Sequence, residues 1–143
     1  MIDIPNENEE KLRFPSVEWF NRYAEEINKN KEYEASATRW EGDFLYVILP
    51  DEEFDREEVY YLDLYHGKCR ACYRVENREV MKTQYMMLAK YGVWMKIGSG
   101  ELDPVKAILT GKLKVKGNLA QIMRYKTAAT ELAKTASRVP TIR

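Results

Sequence analysis

The 143-residue chain is 45% apolar and balances 23 basic against 23 acidic side chains, the proportions of one globular domain with a real core. No apolar run approaches the ~20 residues of a membrane-spanning helix, and neither a basic start nor an apolar signal core opens the sequence, so a cytoplasmic protein is expected. The charge is unevenly spread: residues 1–58 hold 17 acidic and 7 basic side chains, a balance of −10, whereas residues 106–143 hold 9 basic and 1 acidic, a balance of +8. Such polarity steers an anionic partner toward the C-terminal third, and it equally fits a solvated lysine face that keeps a sheet edge from aggregating.

Residues 1–13 are polar and acidic and read as a flexible tail ahead of one domain over residues 14–143. The first helix should start at Ser16, an N-cap after Pro15, and run to Asn28, with Val17, Phe20, Ala24 and Ile27 as its buried stripe. The period then changes. Residues 35–40 and 44–49 read as strands joined by a tight hairpin at Glu41-Gly42-Asp43. The second of these is apolar on both faces, so it is covered on both sides or has one face on a cavity. After the charged loop 50–58, a second hairpin is expected from strands 59–65 and 69–75 about His66-Gly67-Lys68, followed by a strand over residues 80–89. Met81, Met86 and Met87 on that last strand are adaptable packing groups that also tolerate varied ligands.

Two short helices follow, over residues 91–97 with Trp94 inward and over residues 103–110, where Asp103 is the N-cap, Pro104 fills the first turn, and Ile108 and Leu109 face the body of the protein. From Gly111 to Gly117, Leu113 and Val115 alternate with Lys112, Lys114 and Lys116, the pattern of a strand with an apolar inner face and a lysine outer one. Gly117 ends that strand, and Asn118 caps a single helix from Leu119 to Ser137. One side of this helix is rich in small residues, including Ala129, Ala133 and Ala136. An alanine-faced helix sits close to its sheet, unless something other than side chains fills part of the gap.

The run from Tyr91 to Met123, with Trp94, Gly100, Asp103-Pro104, Ala107 and the segment Gly111 to Asn118, resembles the end of the type-2 sterol carrier protein domain. Trp40-Glu41-Gly42-Asp43, and Asp63-Leu64 followed by Gly67, sit where that family's hairpins place similar residues, and the likeness spans residues 16–136. The resemblance implies an α+β fold: an antiparallel (mixed) sheet of about five to six strands with helices on one face, enclosing a hydrophobic tunnel. It further implies no catalysis, no cofactor, and a ligand such as a fatty acid, acyl-CoA, sterol or other isoprenoid, or phospholipid, with the C-terminal helix helping to close the cavity. Candidates for the lining are Phe44, Tyr46, Ile48, Trp94, Ile97, Ile108, Leu109, Leu113, Val115, Leu119, Ile122, Met123 and Leu132. Expected partners are a lipid or other hydrophobic small molecule, a membrane in transient contact, and a second copy in a homodimer. The alternative is a protein-interaction or dimerisation module accompanying a lipid-modifying enzyme.

Other chemistry is weakly represented. His66, Cys69 and Cys72 have a metal-like or redox-like spacing, but residues three apart on a regular strand point to opposite faces, so the sulfurs meet only across a bulge. No Gly-x-Ser-x-Gly, phosphate-loop or dinucleotide fingerprint is present, and no catalytic or metal-ligating residue is assigned. Nucleic-acid binding through Lys112, Lys114, Lys116, Arg124 and Lys126 is disfavoured by the neutral total charge and the lack of a reading motif.

Overall fold

The computed structural model describes residues 10–143, so most of the segment read as an acidic tail lies outside the described residues. At its end Leu12 is not free: it bridges the C-terminal segment in parallel, donating from N to Pro140 O at 2.8 Å and accepting from Ile142 N at 2.9 Å. Helix α1 spans Val17–Lys29, and Ser16 caps it by accepting from Trp19 N at 3.0 Å. Its buried residues are Trp19, Phe20, Tyr23 and Ile27, whereas Val17, expected inward, is 43% exposed.

The first departure from the sequence reading follows at once. Asn30 ends α1 and caps a second helix, α2, Lys31–Ser36, accepting from Tyr33 N at 3.0 Å. Residues 35–40 are therefore helix and turn, and no hairpin forms at Glu41-Gly42-Asp43. Those three residues instead open the long strand β1, Glu41–Leu49. A capped turn that buries Tyr33 outweighs the weak alternation that suggested a strand.

Strands β2, Glu58–Tyr65, and β3, Lys68–Val75, form the expected hairpin. His66 and Gly67 both have positive φ, 50° and 80°, as a two-residue turn matched to strand twist requires. Strand β4 is Tyr85–Lys90, shorter than expected, and it runs parallel to β1. Residues 76–84 form a loop, and its Met81 packs on the outer sheet face over Leu45, Val47, Val59 and Leu88. Helices α3, Tyr91–Ser99, and α4, Pro104–Leu109, lead to β5, Lys114–Lys116, then to α5, Leu119–Arg124, and α6, Lys126–Ser137.

The sheet order is β3-β2-β1-β4-β5, antiparallel except for the β1–β4 pair, with β1 central. The helices pack on one face, where Phe44, Tyr46 and Ile48 of β1 join Phe20, Tyr23 and Tyr33 in the main core. The fold is thus α+β with a mixed five-stranded sheet. The single C-terminal helix of the sequence reading is broken at Tyr125. That residue leaves helical geometry at φ −107°, ψ 30° as its ring meets Trp40 edge-on at 5.0 Å. No glycine or proline marks the break.

The close of β5 depends on Gly117, whose φ is 129° and whose missing side chain makes room for Tyr85 and Gln84: an added Cβ would lie 2.6 Å from the Tyr85 ring and 2.7 Å from Gln84 O. At Gly111, with φ 78°, an added Cβ meets nothing within 4 Å. Gly117→Ala is expected to cost more than Gly111→Ala by about 1–3 kcal/mol, read as a larger fall in denaturation midpoint in urea.

Candidate functional site

Between the sheet and α6 the structure leaves an apolar cavity of about 80 Å³. Its floor is Tyr46 of β1 and Met87 of β4, with Leu113 just before β5. Phe14 and the α1 residues Trp19, Phe20 and Tyr23 close one flank, and Trp94, Met95, Ile97 and Gly98 of α3 close another. Pro104 and Ile108 of α4 face Ala129, Leu132, Ala133 and Ala136 of α6 across it, and Thr141 and Arg143 complete the rim. A second cavity of about 40 Å³ continues toward Tyr33, Trp40, Phe44, Leu64, Ile122, Tyr125 and Ala128. Tyr46, Met87, Ala129 and Leu132 line both and separate them.

The walls are positioned by contacts that leave the rings little freedom. Trp94 donates from Nε1 to Val47 O at 3.0 Å and stacks on Tyr46 at 5.2 Å between centroids. Trp19 donates from Nε1 to Thr141 Oγ1 at 2.9 Å, and Phe20 stacks on Tyr60 at 3.9 Å. Tyr23 donates to Leu132 O at 3.3 Å and lies beside Tyr46. Burial, then the neighbouring Tyr46, holds the Tyr23 phenol well above its ordinary pKa, and burial raises Tyr46 likewise. Both stay neutral at ordinary pH. Among the described residues the one charged side chain on the wall is that of Arg143, at the exposed rim, where Nη1 donates to Met95 O at 3.1 Å.

The profile of the SCP-2 sterol transfer family matches residues 20–130. The chain belongs to the SCP-2 sterol transfer family. Among solved structures, a crystal structure of sterol carrier protein 2 is 31% identical to this family member, covering 87% of this chain and 97% of its own, with a TM-score of 0.79. A conserved hypothetical protein of Thermus thermophilus, described as possibly a sterol carrier protein, is 29% identical over 89% of this chain and 90% of its own, also at 0.79. The inverting sec-alkylsulfatase Pisa1 of Pseudomonas sp. shares the fold at 15% identity and a TM-score of 0.51, over 77% of this chain and 15% of that enzyme. None of the curated proteins is a match.

In this sterol transfer family member the residues expected from the sequence to line a pocket divide into three groups. Tyr46, Trp94, Ile97, Ile108, Leu113 and Leu132 lie on the larger cavity, and Phe44 and Ile122 lie on the smaller. Ile48 and Val115 pack in or against the core, and neither they nor Met123 line these cavities. Leu109, expected to face inward, is 73% exposed, and Leu119 is 46% exposed. With only six residues, α4 turns Ile108 and Ala107 inward and necessarily turns Leu109 out. The sequence reading missed Trp19, Tyr23, Met95, Thr141 and Arg143 as lining. The α1 rings could have been found from the i, i+1, i+4 run of aromatics, whereas the C-terminal pair carries no local signal.

The cysteines also differ from the regular-strand expectation. Leu64 pairs with Cys69 and Asp63 with Ala71, which leaves Arg70 as an inserted residue. This bulge puts both sulfurs on the helical face, with Cys69 in the core and Cys72 packed against it. Both thiols are free, and contact with Cys72 lowers the Cys69 pKa while raising that of Cys72. Among the described residues no three His, Cys, Asp or Glu side chains gather in a way that could hold a metal.

Two outcomes follow from this geometry. Ala133→Trp, placed on the larger cavity, is expected to lower binding of a fluorescent fatty acid at least tenfold in a titration, with the fold verified by circular dichroism, while Leu109→Trp leaves it unchanged. Stability should hold up to about pH 10 and fall above it, because the unfolded chain then releases phenolic protons that the buried Tyr23 and Tyr46 retain. Tyr46→Phe should flatten that alkaline fall in urea titrations taken across the pH range.

Proposed function

We propose that this protein is a non-catalytic carrier that holds one hydrophobic ligand in a tunnel formed when its two cavities join. The observation that carries the reading is the shared wall: Met87 and Leu132 stand between the cavities, and both are flexible side chains among rigid rings. Their rotation opens a continuous apolar channel from the Arg143 rim toward Trp40. Membership of a sterol transfer family supports it. Burying about ten methylenes at ~0.8 kcal/mol each gives roughly 8 kcal/mol gross, reduced by several kcal/mol of association cost, so micromolar binding is expected. Methylene contacts carry no directional information, so discrimination among fatty acids, acyl-CoA, isoprenoids and phospholipids is weak inside the tunnel. A charged head group stays at the rim beside Arg143, and the site of action is cytoplasmic.

Protein purified without detergent and analysed by denaturing mass spectrometry is expected to release a hydrophobic small molecule, and the emptied protein to bind a fluorescent fatty acid. Absence of both, across fatty acids, sterols and phospholipids, overturns the carrier reading. A second reading is favoured by the likeness to a segment of a sulfatase: an interaction or dimerisation module serving a lipid-modifying enzyme. It predicts a filled cavity and a stable dimer by light scattering.

A further inference from the structure

Strands β2 and β3 pair Leu62 with Cys72 and Leu64 with Cys69, so the two cysteines, three apart in sequence, face residues only two apart. Two residues of extended strand span about 6.6 Å, inside the ~4.4–6.8 Å between Cα atoms that a disulfide bridges, whereas three span about 10 Å. The inserted Arg70 therefore supplies both conditions that a regular strand denies: a shared face and a reachable distance. Its own side chain stays outside, with the guanidinium 3.9 Å from the centre of the Tyr65 ring and 3.1 Å from Asp63. Asn28 of α1 holds the backbone at this point, its Oδ1 accepting from Cys69 N at 2.8 Å and its Nδ2 donating to Cys69 O at 3.1 Å.

Packing accounts for Cys69, which lies in the main core, but less well for Cys72, a partly exposed thiol on the outermost strand of the sheet. The two thiols are also unequal. Their contact holds Cys69 below its ordinary range and pushes Cys72 up, so Cys69 is the better nucleophile and Cys72 the thiol that follows it. Each grips α1 at a different point: Cys69 through Asn28, and Cys72 by donating from Sγ to Phe20 O at 3.6 Å. Phe20 lines the larger cavity. A bond between the sulfurs removes the proton that Cys72 donates to Phe20 O and draws Cys72 toward Cys69, away from the helix.

We infer that Cys69 and Cys72 form a dithiol that a peroxide closes to an internal disulfide, loosening α1 on the flank of the cavity. The Cys69 thiolate attacks one peroxide oxygen, the O–O bond breaks, and the leaving hydroxide takes up the proton that Cys69 had released. The Cys72 sulfur then attacks the sulfenic sulfur so formed; the S–S bond closes as the S–O bond breaks, and the departing hydroxide takes the Cys72 proton. Two thiols and one peroxide thus give one disulfide and two waters, with two electrons passing from sulfur to oxygen. The consequence for ligand binding rests on the carrier reading, whereas the oxidation and the release of α1 do not.

The whole protein, treated with a slight excess of hydrogen peroxide, is expected to lose two hydrogens in intact mass and both titratable thiols, as a single chain, and dithiothreitol should restore them. That reversal separates the disulfide from sulfoxide at Met87 or Met95, which dithiothreitol leaves oxidised. Hydrogen exchange of the α1 amides should quicken about fivefold in the oxidised form, and a fluorescent fatty acid should bind about fivefold more weakly. Neither change should occur in the double variant Cys69→Ala, Cys72→Ala given the same treatment. Thiols that survive the peroxide, a disulfide between two chains, or α1 exchange unaltered by oxidation overturns the inference. Absence of fatty-acid binding by the reduced protein overturns the carrier reading and leaves the mass and exchange measurements to decide the dithiol.

Discussion

The side chain of Asn30 holds together the two halves of the helical layer. Its oxygen accepts from Tyr33 N and starts α2, while its nitrogen donates to Thr135 Oγ1 at 2.8 Å and to Glu131 Oε1 at 3.4 Å on α6. All of this is buried, so loss of any partner strands a desolvated polar group and costs more than the bond contributes. With Tyr23 donating to Leu132 O, this clamp fixes the α6 backbone above the sheet. The alanines that α6 then turns inward are too short to reach β1 and β4. The cavity is the consequence: backbone held at a distance by polar contacts, with small side chains left to fill it.

The opposite wall does not collapse into that space because it is made of rings. Phe20 on Tyr60, Tyr46 on Trp94 and Trp40 on Phe44 are stacked pairs, and tryptophan Nε1 donors pin Trp19 and Trp94 to fixed acceptors. Flexibility is confined to the partition between the two cavities. Thioether and leucine side chains there change rotamer at small cost, whereas a stacked ring does not. A site built in this way is rigid in outline and adjustable in depth, which suits ligands that differ in length more than in shape.

Electrostatics follows the same division. The chain is neutral in total, yet the phenols inside the cavity are held neutral by burial, and residues 104–130 carry six basic side chains and no acidic one. Some acidic side chains elsewhere are paired, such as buried Glu58 between Arg56 and Tyr60. Total charge therefore says little about how this surface behaves, because what a partner meets is the local field within about a Debye length.

Local chemistry by itself determined much of the fold. The Ser16, Asp103 and Asn118 caps, the His66-Gly67 turn and the alternation of Leu113 and Val115 with lysine depend on neighbours within a few residues, and the matching elements stand where they were expected. The alanine side of α6 was legible too, as a helix that either sits close to its sheet or leaves a gap for something other than side chains. Tertiary structure decided what local pattern leaves degenerate. It turned residues 35–40 into helix and turn because Asn30 and Tyr33 had distant partners, and it broke the last helix because Tyr125 found Trp40. It brought Cys69 and Cys72 to one face through a single inserted residue, and it set Thr141 and Arg143 on the cavity rim through pairing with Leu12, more than 120 positions away. Contacts between residues so far apart in sequence leave no periodic trace, since only the folded chain makes them neighbours.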